Sequence, residues 1–413
     1  MRKIFSALDI GSNSIKLVVA EFIKNKIHVL LALKKTSYGF KHNTITDKES
    51  LKTCINLLLD EAESKLNFRI SKVILNIPTD YNSFKMVDYS INIDRDDHII
   101  NSNDILKVLK ESTVNNASSN EEMIANIPVI FKVGDTETDR PFGKEGNTLS
   151  VKSVIVSADK RKIYELINFL SELKLEVIDI TTTGLVDYLN FKTPELDNKN
   201  VVIVNLGDTS TNISVFSKSV YINNQTLDIG GIDIDREIAL TFNLRKKEAT
   251  YLKEHLSLAV MQRADVKEKC EVETKDGEVI KINQYELSKV SSKKLEETLK
   301  IVKNSINHLT KKEISYIIIT GGLAEIRDFP HAVNMVFGKT AKVGNINNIG
   351  ARDNSYSVAV GMLIYFNEKL SLRNRDFSAI TGEDVEAMMQ TGKKNVIAED
   401  SILGKVVSYF FDN

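Results

Sequence analysis

The chain has little that would mark it as secreted, metal-centred or nucleic-acid-binding. Its 413 residues hold two cysteines, Cys54 and Cys270, far apart and in no metal-ligand spacing. They read as free thiols of a reducing compartment, not as a disulfide framework. The six histidines are scattered and join no carboxylate cluster, so no transition-metal centre is expected. A formal net charge of −1 lacks the basic surplus that nucleic-acid binding leaves, and no such partner is expected. No apolar run is long enough to span a bilayer. The apolar stretch at 5–10 passes at once into polar turn residues, so no secretory signal is expected either. What remains is ordinary for a globular protein, 42% hydrophobic and 27% charged, with length for two or more domains.

Against that background one pattern occurs twice. Residues 5–21 read FSALDIGSNSIKLVVAE, and residues 201–216 read VVIVNLGDTSTNISVF. Each is an apolar strand, a turn of Gly and small polar residues, and a second apolar strand. Such a turn exposes backbone N–H groups where small side chains let a phosphate approach. One copy would be a routine hairpin. Two copies, one per half, predict two similar domains gripping a polyphosphate from opposite sides. A third segment, IIITGGLAEIR at 317–327, reads as a buried strand, a glycine pair and the start of a helix. The pair lets a flat ring or sugar lie against the backbone.

The rest of the chain reads as α/β. Strands are expected at 27–33 and 72–77, and a helix at 49–66, where Leu51, Ile55, Leu58, Leu59, Ala62 and Leu66 share one face. From about Ser83 to Asp159 the character shifts to a small separate subdomain. It comprises a strand at 84–93, a helix at 102–113, a polar loop at 115–122 and a strand at 128–133. Helices follow at 160–173, 235–242, 246–256 and 289–309, with a hairpin over 270–282 and a strongly apolar helix at 356–366 that packs back on the first domain. Residues 370–400 read as a flexible linker.

The two turns and the glycine pair resemble the phosphate-1, phosphate-2 and adenosine motifs of the actin, Hsp70 and sugar-kinase superfamily. An insert after the first βββαβ unit is unusual there, and with a linker and an apolar C-terminus it looks like FtsA. That resemblance extends to LDIGG at 227–231, EATYLK in the 246–256 helix, TGGLAEI at 320–326 and IGARDNSYSVAVG at 349–361. It implies a two-domain actin-like ATPase fold, with the small α/β insert in the first half and a C-terminal amphipathic helix. The implied subdomains are 1A (1–82, 160–192 and 346–369), 1C (83–159), 2A (193–245 and 313–345) and 2B (246–312), with the helix at 401–413.

The same resemblance implies ATP and magnesium as ligands. Gly11, Ser12, Asn13 and Ser14 would offer donors to the phosphates, with Lys16 following, although a hairpin can turn that side chain away. Asp9 would hold magnesium through water; the bland alternative is a turn cap. Gly207, Asp208, Thr209 and Ser210 would supply the opposing donors. Family members often have Asp where this chain has Asn205, and an amide cannot serve as a base, so binding is expected with weak or no turnover. Glu248 and Lys253 would flank the adenosine, or be ordinary charges of a solvated helix. Gly321 and Gly322 would face it, with Ile326 near the base. Gly230 and Gly231 would also line the nucleotide, or form a plain turn.

FtsA is the bacterial actin homologue that tethers the FtsZ ring to the membrane, which implies as partners the FtsZ C-terminal peptide, other division proteins and further copies of the chain in filaments. The place implied is the inner face of the cell membrane at the division site. Lys294 and Glu297 match positions that hold the FtsZ peptide, or are solvated bystanders. The tail can be read independently. Ile402, Leu403, Val406, Val407 and Phe410 fall on one helical face, and burying them yields on the order of 5–10 kcal/mol before ordering costs. Lys405 is the single basic residue in this stretch, so lipid charge adds little. One copy binds a membrane marginally and many copies on a polymer bind firmly. Two alternatives share the fold: a PilM-type pilus-assembly scaffold, which lacks such a tail, and a small-molecule kinase, which needs a catalytic carboxylate between the domains.

Overall fold

The computed structural model describes residues 2–78, 82–114 and 120–384. The chain opens with an antiparallel meander of β1 (Lys3–Ile10), β2 (Ser14–Ile23) and β3 (Lys26–Thr36). A small hairpin of β4 (Phe40–Lys41) and β5 (Thr44–Ile45) leads to α1 (Lys48–Leu66) and β6 (Lys72–Asn76). Asp47 caps α1 by accepting from the Glu49 and Ser50 amides, and Asn67 ends it in the left-handed region. Then come β7 (Ser83–Asn92), α2 (Ser102–Glu111), β8 (Glu121–Val133), β9 (Thr136–Thr138) and β10 (Thr148–Asp159). The first half closes with α3 (Lys160–Glu172), β11 (Glu176–Thr181) and α4 (Thr183–Phe191).

The second half repeats the plan. It runs through β12 (Asn200–Leu206), β13 (Thr211–Ser217), β14 (Val220–Leu227), α5 (Gly231–Thr241) and α6 (Lys246–His255). A hairpin of β15 (Lys269–Glu273) and β16 (Val279–Asn283) precedes α7 (Gln284–Leu309), β17 (Tyr316–Thr320), α8 (Phe329–Phe337), β18 (Ala341–Val343) and α9 (Ser357–Leu372). The two large sheets are ordered β11-β6-β1-β2-β3 and β18-β17-β12-β13-β14. In both, the first strand pairs antiparallel with the second and parallel with the later crossover strand. The repeated turn is therefore part of a repeated sheet.

Residues 83–159 form their own sheet, β7-β10-β8-β9, with α2 packed on it. Ile105, Val108 and Leu109 of α2 meet Phe131, Val133, Leu149 and Val151 in a separate core. Between the two large sheets lie α4 and α9, sharing a core that includes Phe5, Ile74, Leu185, Ile203, Phe216, Met362 and Leu363. The helices cross closely at Gly361, where a Cβ would stand 2.2 Å from the Val186 carbonyl oxygen. Backbone cannot yield as a side-chain tip would. Gly361→Val is expected to cost about 3 kcal/mol, the upper end of overpacking penalties, read as a lower urea midpoint.

The structure departs from the sequence expectations in several places. The strand expected at 128–133 begins at Glu121, inside the expected loop. The long helix expected from 289 begins at Gln284, because the Asn283 side chain accepts from the Glu286 amide and starts it earlier. Gly322 opens a single 3-10 turn, Gly322–Glu325, and a helix forms only at Phe329. The linker expected from 370 starts later. The Ala379 amide donates to the Ile4 carbonyl at 2.8 Å, Asp376 pairs with Lys3 at 2.8 Å, and Phe377 packs edge-on to Phe366. Alternating apolar residues hold this stretch on the first sheet. The remaining linker and the 401–413 helix, with its lipid-facing residues, lie outside the described residues.

Candidate functional site

Each phosphate-type turn closes on itself in the same way: the Gly11 amide donates to Ser14 at 3.1 Å, and the Gly207 amide to Ser210 at 3.0 Å. The turns face one another across a cleft between the two sheets, and Thr209 Oγ1 donates to Ser12 Oγ at 2.8 Å. Around them is a cavity of about 310 Å³. Its walls include Asp9, Gly11, Ser12, Asn13, Ser14 and Lys16 on one side, and Asn205, Gly207, Asp208, Thr209 and Ser210 on the other. Gly321, Gly322 and Ile326 complete a third wall. The three segments singled out in the sequence thus converge on one cavity.

Lys16 is directly opposite Asp9 in the hairpin register, so both side chains take the same face. Lys16 Nζ stands 3.1 Å from Asp9 Oδ2, and the pair lines the cleft, so the lysine turns inward. Opposite, the N-terminus of α5 clamps the second turn. The Gly231 amide donates to the Gly207 carbonyl at 3.0 Å, and the Ile232 amide to Asp208 at 2.9 Å. Gly230 is not a wall of the cleft but makes this clamp possible, since a Cβ there would stand 2.4 Å from the Asp208 oxygen. Gly231 does line the cleft.

Lys253 is a buried wall residue, 2.7 Å from Asp235 and donating to the Gly231 carbonyl at 3.2 Å. Burial pushes the Asp208 carboxyl upward, opposed by the Lys253 and Lys246 ammonium groups. Glu248 departs from expectation. It is not among the cleft residues, whereas Glu254 is. Five helical residues separate Glu248 from Lys253, roughly 140° around α6, so the two side chains leave the helix on different faces. Lys294 and Glu297 pair with each other at 3.3 Å on the outer face of α7 and take no part in the cleft.

Several residues of the site were not foreseen. Asn76 donates to Thr183 Oγ1 at 3.0 Å, and both line the cleft. Glu325 Oε1 accepts from the Asn354 amide and side chain, both at 2.8 Å, tying the glycine-pair turn to the loop before α9. The most consequential is Asp187 on α4, fully buried, whose Oδ2 accepts from Asn205 Nδ2 at 2.7 Å. An acid within the apolar run Leu185, Val186, Tyr188 is the signal that would have found it.

Burial raises the Asp187 carboxyl to about 7, with Asp9 pushing the same way and hydrogen bonds from Asn205 and Ser357 pulling down. Because the folded value exceeds the unfolded one, this group's contribution is full below about pH 4 and is lost as pH rises through about 7. Asp187→Asn removes that loss. Its melting temperature relative to the native protein is expected to rise between pH 5 and pH 8, as followed by circular dichroism.

The duplicated sheets, the interposed helices and the facing turns define an actin-like fold. Among solved structures with this fold are the PilM–PilN type IV pilus biogenesis complex and MreB5 of Spiroplasma citri bound to ADP. The first matches with a TM-score of 0.58 at 13% identity, over 87% of this chain and 98% of that one. The second matches with a TM-score of 0.55 at 12% identity, over 90% and 99%. Within that class the sequence points one way. The profile of the family Cell division protein FtsA matches residues 202–361. Cell division protein FtsA of Bacillus subtilis is 23% identical over 365 residues, covering 87% of this chain and 83% of the relative. Its counterpart in Enterococcus hirae is 21% identical over 400 residues, covering 96% and 90%. The chain is thus similar over most of its length to cell-division proteins of the FtsA family, on an actin-like fold.

Proposed function

We propose that the protein binds Mg-ATP in this cleft and, assembled in filaments, tethers FtsZ to the inner face of the cell membrane at the division site. The observation that carries the nucleotide reading is the pair of glycine turns facing one another across a single cavity beside Gly322. The MreB5 protein has been solved with ADP and with AMPPNP, which supports the same use of the fold here. Magnesium fits the donors present. The Asp9 carboxylate stands in the cleft beside both turns, and a hard oxygen donor of this kind suits a cation completed by phosphates and water. Asp9 would hold it through water, and the ion would neutralise phosphate charge.

Turnover is slow on this account. Asn205 has no basic group, and Asp187 behind it is sealed from the cleft. Calorimetry is expected to show Mg-ATP binding while phosphate release stays near background. Absence of binding by folded protein, or brisk phosphate release, contradicts this.

Membrane attachment rests on the apolar face at 401–413. Among the described residues no helix is long and apolar enough to cross a bilayer. Filament contacts through residues 83–159 are supported by the family likeness and by that subdomain's separate core. Electron microscopy on lipid monolayers with ATP tests this, and filaments that persist without 83–159 remove the subdomain from the contact. The FtsZ peptide is assigned to residues 246–312, including Lys294 and Glu297. The pilus-scaffold alternative has only a shared fold in its favour.

A further inference from the structure

The two halves are not chemically equivalent at one position. Asp9 and Asn205 each stand two residues before the turn glycine, at the same place in the duplicated sheets. Opposite Asp9 in the register is Lys16, and opposite Asn205 is Asn212. The first half therefore fixes its pre-turn side chain with an ion pair across the hairpin, and the second half has no such cation. Instead, the amide of Asn205 is held from behind by Asp187, which reaches it from α4.

We propose that Asp187 is a positioning residue that locks the Asn205 amide with its NH2 inward and its carbonyl oxygen toward the cleft, making nucleotide binding depend on the metal. This rests on the nucleotide reading above. When ionised, Asp187 accepts hydrogen bonds and donates none, so the group facing its Oδ2 at 2.7 Å is then Asn205 Nδ2. Ser357 Oγ lies 3.5 Å from the same nitrogen and can accept from it as well. Asn205 Oδ1 then points to the other side, where a Cβ at Gly321 would approach it to 2.7 Å. Asn205 lines the cleft, while Asp187 is fully buried and does not. The charged neighbour on β1 is Asp9, balanced by Lys16, and the Tyr221 hydroxyl also feels the Asp187 charge.

An amide so fixed offers the cleft an acceptor and withholds its donor. A bare phosphate oxygen is also an acceptor and finds no hydrogen bond there. Water held by a divalent cation is a donor and does. The geometry thus favours the magnesium complex of a nucleotide over the free nucleotide. Released from Asp187, the amide can turn its NH2 to phosphate, and the preference weakens by about one hydrogen bond, roughly tenfold.

The test compares calorimetric affinities for ATP with magnesium and with EDTA, at pH 8, where the carboxyl is charged. The native protein is expected to prefer Mg-ATP. Asp187→Leu is expected to cut that preference about tenfold, mainly by tightening metal-free ATP. Asp187→Asn, whose carbonyl still accepts from Asn205 once its own amide is turned outward, is expected to restore most of it. Should the leucine variant fail to fold, Asp187→Ser, too short to reach the amide, reads the same ratio. A folded Asp187→Leu or Asp187→Ser protein with native preference overturns the positioning role while leaving nucleotide binding intact. A native protein that binds no ATP under either condition overturns both.

Discussion

Gly322→Phe is expected to abolish ATP binding while leaving the fold intact. A Cβ at Gly322 meets only the Ser355 Cβ, at 3.8 Å, so a larger side chain enters the cleft without colliding with protein backbone. There it would occupy the place assigned to the adenosine. Affinity for Mg-ATP should fall by more than about a hundredfold, about 3 kcal/mol, with an unchanged circular dichroism spectrum. The neighbouring glycine supplies the control. Gly321 has φ +98°, and its Cβ would lie 2.4 Å from the Leu206 oxygen. Gly321→Ala should lower stability by about 1–3 kcal/mol through backbone strain, a different signature. Native-like ATP affinity in Gly322→Phe would remove the glycine pair from the site.

Phe410→Glu is expected to release the protein from vesicles. Read as a helix, the sequence 401–413 puts Phe410 centrally among its apolar residues, and burying such a side chain is worth about 2–3 kcal/mol. The substitution removes that gain and adds the cost of taking a carboxylate out of water, several kcal/mol more. On the proposed reading a single tail binds only marginally, so flotation with liposomes should be lost. Mg-ATP and FtsZ binding should persist, because both are assigned to described residues far along the chain from this segment. Continued flotation would show that the anchor is elsewhere. Unfolding or loss of ATP binding would show that the apolar face docks on the body.

Much of this was legible because the sequence carries it locally. The strand–turn–strand copies needed only alternating apolar strands and small turn residues, and they form the paired meanders β1–β2 and β12–β13. The face of α1 followed from helical period, with Cys54 joining it. The short helices α4 and α8 were not legible. Thr183–Phe191 has Gly184 in its first turn and no side-chain cap, so it is defined by packing between the sheets rather than by its own signals. Asp187 was missed for the same reason, since its partner Asn205 is 18 positions away and only the fold joins them. Lys16 could not be oriented until the register placed it opposite Asp9. A motif read along the chain does not show which face of α6 Glu248 occupies, and in the structure it is not a wall of the cleft.

The measurement that tests the central claim most directly is recovery of FtsZ with liposomes in the presence of Mg-ATP, using the full chain and residues 1–400. The full chain is expected to carry FtsZ to the vesicle fraction. Residues 1–400 should bind FtsZ equally well and leave both proteins in the soluble fraction. FtsZ absent from the vesicles with the full chain, or recovered there equally with residues 1–400, would contradict the tether.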